Sequence, residues 1–183
     1  VGEVVQEVTD FAKTHPYAIG SIRLDRTEFD FPDAHRGEKP TITFSVVNLS
    51  DRPYEPVLMH LPPYLKMERT PDVVLKGKKG KIKLTLDTKQ LTDLGLTQTS
   101  VYLARFAGDK VSEENEIPVS AILLPDFSGM TMQDSLNAPA IRLSEANIDL
   151  SARLAKKNKA SHDIVITNTG KAPLQINKLQ VFN

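Results

Sequence analysis

The sequence predicts an all-β fold: an immunoglobulin-like β-sandwich with a short N-terminal helix, followed by the first strands of a second sandwich of the same type. Three observations predict it. Apolar residues alternate with period two in short stretches from Ile22 onward. Turn chemistry separates those stretches at close intervals. Two blocks of sequence recur in the same order further along the chain. The expected organisation is a helical segment over 1–16, a complete sandwich over 17–125, a linker over 126–138, and the opening strands of an incomplete second sandwich over 139–183.

Taken in order, Val4, Val5, Val8, Phe11 and Ala12 recur at helical spacing and predict a helix over Gly2–Lys13, stopped at His15-Pro16. Ile22 and Leu24 then flank Arg23, Phe29 and Phe31 flank Asp30, and Ile42, Phe44 and Val46 alternate with Thr41, Thr43 and Ser45. Ile82, Leu84 and Leu86 alternate with Lys81, Lys83 and Thr85. Each stretch reads as a strand with one face on a core and one in water. Val57–Leu61 and Val101–Phe106 are apolar on both parities and read as more enclosed strands, and Ile117–Leu124 closes the set. Turns are marked at Arg36-Gly37, Ser50 to Pro53, Pro62-Pro63, Gly77 to Gly80 and Gly108-Asp109, and a helical turn over Lys89–Leu94 ends at Gly95.

Composition narrows the function classes. Lys plus Arg and Asp plus Glu each total 23, so a net charge of zero supplies no global attraction to nucleic acid or anionic membrane. With no cysteine, the chain has no disulfide, thiolate metal site or cysteine nucleophile. No apolar run approaches the ~20 residues of a membrane-spanning helix. No signal peptide is visible at Val1.

The repeat is the most informative pattern. Ile22-Arg-Leu-Asp-Arg-Thr-Glu-Phe-Asp-Phe31 aligns with Ile141-Arg-Leu-Ser-Glu-Ala-Asn-Ile-Asp-Leu150, and Phe44 to Pro53 aligns with Ile164 to Pro173. The offset is 119 residues at Ile22/Ile141 and 120 at Asn48/Asn168, so one residue is inserted between the blocks. Asn suits the end of a strand because its side chain bonds locally, and Gly170 reads as a turn position that a side chain would resist. The second copy carries Ile141–Leu143, Ile148–Leu150, Asp163–Asn168 and Leu174–Phe182 as strands, too few to close a sandwich. The expectation is that the natural chain continues past Asn183, or that another chain completes these strands, with self-association through their open edges as one route.

The segments Asn168-Thr-Gly-Lys-Ala-Pro-Leu-Gln-Ile176 and Leu123-Leu-Pro-Asp-Phe-Ser-Gly129 resemble an uncharacterised family of exported Gram-negative bacterial proteins, a domain of unknown function with tandem immunoglobulin-like modules. That family is distantly similar to major-sperm-protein-type sandwiches. The resemblance covers most of the chain from Ile19 onward. Ser50 stands where the second copy has Gly170, and the Ser-Cys-Gly-Cys element frequent in the family is absent. The resemblance implies a periplasmic or cell-surface location and a non-enzymatic binding or scaffold role, with no specific ligand.

Candidate chemistry is sparse. His15, His35, His60 and His162 show no metal-ligand spacing, so no metal, cofactor or catalytic residue is assigned. Asp33 and His35 could pair as acid and base, but no nucleophile or oxyanion element accompanies them. Lys76 to Lys81 with Lys83 reads as a solvated hairpin loop whose lysines protect an edge strand, and Ala155 to Lys159 as a comparable loop in the second copy. The densest aromatic and proline cluster runs from Tyr54 to Tyr64, and Tyr54, Met59 and Tyr64 are its candidate interaction surface. The expected function is a non-enzymatic structural or protein-interaction module of the bacterial cell envelope with a protein partner. A carbohydrate-binding accessory module is the alternative, poorly served by a chain with no Trp and four Tyr.

Overall fold

The computed structural model describes residues 11–155, 159–176 and 179, and the chain divides into two compact units, Val1–Asp126 and Phe127–Asn183. Among the described residues, the first unit holds ten strands: β1 (Tyr17–Ile19), β2 (Ile22–Leu24), β3 (Phe29–Asp30), β4 (Ala34–His35), β5 (Thr41–Asn48), β6 (Leu58–Met59), β7 (Leu65–Thr70), β8 (Lys79–Leu86), β9 (Gly95–Leu103) and β10 (Glu116–Leu124). They form two sheets, one ordered β1-β2-β5-β8-β7 and the other β3-β10-β9-β6, with β4 also on β10. This is an all-β sandwich.

The period-two pattern places the core. Along β5, Ile42, Phe44 and Val46 are buried, and along β8 the buried residues are Gly80, Ile82, Leu84 and Leu86. From the other sheet, Val101, Leu103, Ile117, Val119 and Leu123 complete one cluster. Phe29 of β3 and Phe44 of β5 join the two sheets, their ring centroids 4.4 Å apart. Most neighbours are antiparallel, but β3 and β4 run parallel to β10, Phe29 opposite Val119 and Ala34 opposite Leu123. The chain therefore leaves one sheet after β2 and crosses to the edge of the other. Pro32 falls where that edge strand breaks, as expected of a residue with no amide to donate.

Several expected elements change. Leu65–Thr70 forms a strand that the sequence pattern did not announce, because Met67 and Arg69 share a face and obscure its alternation. The helical turn near Lys89 is a 3-10 turn over Thr88–Gln90, capped by Asp87, and Gly95 opens β9. Of Val57–Leu61 only Leu58–Met59 is strand, and Arg105 and Phe106 lie beyond the end of β9. The lysines of 79, 81 and 83 do not guard an edge: β8 lies between β5 and β7, and these side chains occupy its solvent face, where Lys83 meets Glu68 at 3.1 Å. The helix expected over Gly2–Lys13 falls mostly outside the described residues, and residues 11–14 are helical.

In the second unit, β11 (Ile141–Leu143) pairs antiparallel with β12 (Ile166–Asn168). A helix over Met132–Asn137 occupies the expected linker, with Thr131 and Asp134 exchanging capping bonds. Ile148–Leu150 is not a strand: Asp149 accepts hydrogen bonds from the Ser151 amide and hydroxyl at 2.9 and 2.6 Å, and a helical turn over Ser151–Leu154 follows. The loop at 156–158 and much of the strand expected over Leu174–Phe182 lie outside the described residues.

The register of β11 on β12 repeats that of β2 on β5. Ile22 faces Asn48, Arg23 Val47 and Leu24 Val46; Ile141 faces Asn168, Arg142 Thr167 and Leu143 Ile166. Gly170 has an ordinary φ, so its glycine requirement is steric: an added Cβ would lie 2.2 Å from the Ala138 carbonyl oxygen.

Candidate functional site

At one end of the first unit, three connections meet around a cleft of about 1180 Å³. They are the β1–β2 turn at Gly20-Ser21, the segment Ser50–Glu55 after β5, and the loop Ala104–Asp109 after β9. Gly20 has φ +58° and makes the tight hairpin, and a Cβ there would come within 3.2 Å of Arg105 Cδ. This close approach sets one wall of the cleft against the side chain of the facing loop.

The Ala104–Asp109 loop is held by a closed polar network. Asp109, 1 % exposed, accepts from the Arg105 amide, Nε and Nη2, each at 2.8 Å. The Arg105 guanidinium, followed by the amides of Arg105 and Lys110, holds the Asp109 carboxyl down at about 2 against the opposing effect of burial. The same hydrogen bonds push the Arg105 guanidinium above its usual range. Glu114 takes the remaining arm of Arg105. Beneath them the fully buried Asn115 donates to the Leu103 carbonyl at 3.2 Å and accepts from the Ser112 amide at 2.9 Å. The loop therefore has a fixed shape, and its charges are satisfied by one another.

On that scaffold the rim is apolar. Phe106 is 60 % exposed, with the Arg105 guanidinium 5.9 Å from its ring centroid, and Val57 and Val73 stand exposed along the same cleft. The predicted site residues divide. Tyr54 is buried, and its hydroxyl donates to the Ala104 carbonyl at 2.7 Å, so its ring is core and its oxygen anchors the base of the loop. Burial, with Asp109 nearby, pushes the Tyr54 hydroxyl well above the ordinary phenol range. Met59 is half-buried and lines the cleft. Tyr64 is packed against the core and lies apart from the cleft. The structure thus brings Tyr54 and Met59 together, the first as support and the second as lining, and corrects the reading of Tyr54 as a surface residue. Phe106 was hidden by its assignment to a strand; the signal that could have found it is an aromatic residue just ahead of the Gly108-Asp109 turn.

The histidines are dispersed. His15 is buried between Thr14 Oγ1 at 2.8 Å and Ser45 Oγ at 2.9 Å, and burial with the Lys79 charge lowers its pKa. His60 sits at φ 56°, its ring and that of Tyr102 in a T-shaped arrangement with centroids 5.5 Å apart. His35 donates its amide to Glu38, and His162 lies 3.2 Å from Glu145. Among the described residues no cluster of three or more His, Asp or Glu side chains is placed to hold a metal ion. Nor is any helix among them long and apolar enough to cross a membrane.

No family model matches the chain, and no curated protein matches it. Among solved structures it is similar to a protein of unknown function from Porphyromonas gingivalis W83, with TM-score 0.51 and 15 % identity over 68 % of this chain and 56 % of that one. The chain thus spans little more than half the length of that protein. Two lower-scoring likenesses are the periplasmic chaperone SfaE (TM-score 0.37, 13 % identity, 57 % of this chain and 58 % of that one) and WR4, a C. elegans MSP family member (TM-score 0.33, 14 % identity, 57 % and 99 %). At 15 % identity the likeness to the Porphyromonas gingivalis protein is one of fold alone.

Proposed function

We propose that this protein is a non-enzymatic structural and protein-interaction module of the bacterial cell envelope, built of immunoglobulin-like units in tandem. The observation that carries the reading is the cleft of the first unit, where Phe106, on the loop held by Arg105 and Asp109, stands exposed along an apolar rim with Val57 and Val73. A pre-shaped apolar rim accepts a partner side chain without first ordering a loop, which keeps the entropic cost of association low. The charged groups beneath it favour a structural role. A carboxyl held near 2 and a guanidinium held above its usual range exchange no proton near neutral pH, so they suit scaffolding better than acid–base catalysis.

The tandem reading is supported by the shared register of β2 on β5 and β11 on β12. The envelope location rests on the resemblance carried by Leu123–Gly129 and Asn168–Ile176. Carbohydrate binding remains the competing use of the same cleft, since Phe106 is an exposed ring on which a sugar face could stack.

The test is co-purification from a Gram-negative envelope fraction with the wild-type chain and with Phe106→Ser, followed by reconstitution of any complex from pure components. A glycan array is run in parallel. A reconstituted protein complex weakened by Phe106→Ser supports the reading. Saturable sugar binding lost in that variant, with no protein complex, transfers the cleft to the carbohydrate alternative. Fractionation of the natural protein into the cytosol would overturn the envelope location.

A further inference from the structure

His15 fastens the segment ahead of β1 to the outer face of the first unit's five-stranded sheet. Of residues 11–16 only His15 is buried, at 4 % exposed. Its amide closes the helical turn on Phe11 O at 2.7 Å, and its ring stands at 87° to the Phe11 ring with centroids 6.4 Å apart. The ring reaches across to β5, where Nε2 bonds to Ser45 Oγ at 2.9 Å. The strands on either side of β5 hold the segment as well. From β2, Arg23 Nη1 donates to the His15 and Pro16 carbonyls at 3.5 and 3.4 Å, and from β8 the Lys79 ammonium lies 5.5 Å from the Phe11 ring centroid. Val47, which shares the outward parity of Ser45, is fully buried, so this corner of the outer face is covered.

The hydrogen bonds select the neutral ring and its tautomer. Ser45 Oγ donates its hydrogen to Gly80 O at 3.3 Å, so it accepts from Nε2–H, and Nδ1 is left to accept from the Thr14 hydroxyl at 2.8 Å. A second proton enters at Nδ1, where it displaces the Thr14 hydrogen and puts a charge on a group shielded from water. The charged side chains of the surrounding elements are mostly cations: Lys13 in the same turn, Arg23 on β2, Lys79 on β8, and Lys81 opposite Ser45 in the β5–β8 register. Among the described residues the opposing carboxylate is Asp25, just beyond β2, which already accepts the Ser45 amide at 3.0 Å. Burial first, and then the Lys79 charge, lower the His15 pKa from its ordinary 6.5 against the pull of Asp25.

We propose that His15 is an acid-sensitive latch: neutral, it pins the Phe11–Pro16 segment to β5, and protonated, it frees that segment while the sandwich stays folded. The sign follows from the burial. A freed, hydrated ring titrates near 6.5, whereas the docked ring resists the proton, so docking is complete above about 6.5 and weakens as pH falls through the lower docked value. One proton is taken up on release, so opening rises by up to about tenfold per pH unit in that window. The core does not share this dependence, because the apolar cluster that joins the two sheets holds no group that titrates there. No residue lining the cleft takes part, so the latch stands or falls separately from the function proposed above.

The experiment follows the full 183-residue chain by NMR from about pH 7.5 to about pH 4.5, recording the His15 ring shifts and the exchange protection of two amides. One is His15, and the control is Leu86, whose amide donates to Pro40 O at 2.9 Å inside the sandwich. The expected result is a ring midpoint below 6.5, with protection at His15 falling about tenfold or more across it and protection at Leu86 unchanged. His15→Gln should leave protection at position 15 flat over the whole range. Lys79→Gln should raise the ring midpoint, and Asp25→Asn, which keeps an oxygen for the Ser45 amide, should lower it. A ring still neutral at the acid end, a midpoint at or above 6.5, or a midpoint unmoved by both charge variants overturns the proposal. So does protection at His15 that holds as the ring titrates, or the same fall in His15→Gln. Parallel loss at His15 and Leu86 also overturns it, since the whole unit then opens together.

Discussion

Arg105 and Asp109 form a fork-to-fork pair in which one carboxylate receives three nitrogens of a single residue, two from the guanidinium and one from the backbone. The pair closes the loop that carries Phe106, and so links a buried charge to the shape of an exposed apolar rim.

Removing Asp109 strands the Arg105 guanidinium and the loop amides. Asp109→Ala is expected to lower stability, because the loop amides of Arg105 and Lys110 and two guanidinium nitrogens lose their acceptor, and the loss is measured as a lower urea midpoint. The pH dependence follows in sign. The folded carboxyl titrates near 2, below its ordinary value of 3.8, so its contribution is complete above about 4 and is lost as pH falls from there through about 2. An acid titration of wild type should show this loss, and Asp109→Asn should flatten it.

Asn48 and Asn168 make the same turn in different surroundings. Each accepts from the amide two residues on, at 2.9 and 3.0 Å, and donates to the carbonyl four residues on, at 2.7 and 2.8 Å. Asn48 is fully buried and donates a further bond to Val74 O at 2.9 Å. Asn48→Ala should therefore cost roughly 2–3 kcal/mol, because buried carbonyls lose their donor, and the exposed Asn168→Ala less than about 1 kcal/mol. Parallel thermal melts of the two variants check the ranking; equal losses would mean that burial is not what makes Asn48 matter.

Gly80 lies under Val74. A Cβ at position 80 would sit 2.5 Å from Val74 Cγ2. Gly80→Ala should destabilise by about 2 kcal/mol through overpacking, and Val74→Ala in the same chain should restore part of that loss. A double-mutant cycle with no coupling would show that the strand absorbs the methyl group by moving.

Tyr54 and Phe106 should separate stability from recognition. Tyr54→Phe removes the bond to Ala104 O and should cost about 1 kcal/mol, whereas Phe106→Ser should leave unfolding within about 0.5 kcal/mol of wild type. Any partner contact of the cleft should respond in the opposite order, read by calorimetry on the reconstituted complex.

Much of this was legible in one dimension. Alternation at Ile42/Phe44/Val46 and Ile82/Leu84/Leu86 marks strands with one buried face, because a strand turns successive side chains to opposite sides. The Asn48 and Asn168 turns are local hydrogen-bond chemistry, and the strands of the two aligned blocks pair in equivalent registers. The lysines of β8 show the limit of such reading: their outward parity was visible, but not that β8 lies inside the sheet.

The all-β class and the position of most turns follow from local pattern, since period, β-branching and turn residues act within a few positions. Three features emerged from the packing of distant segments: β3 and β4 cross to pair parallel with β10, Tyr54 is core while Phe106 is rim, and Gly80 leaves room for Val74. Each of these depends on which distant segment lies opposite. A local pattern states that a face seeks cover, and the packing of the whole chain determines what covers it.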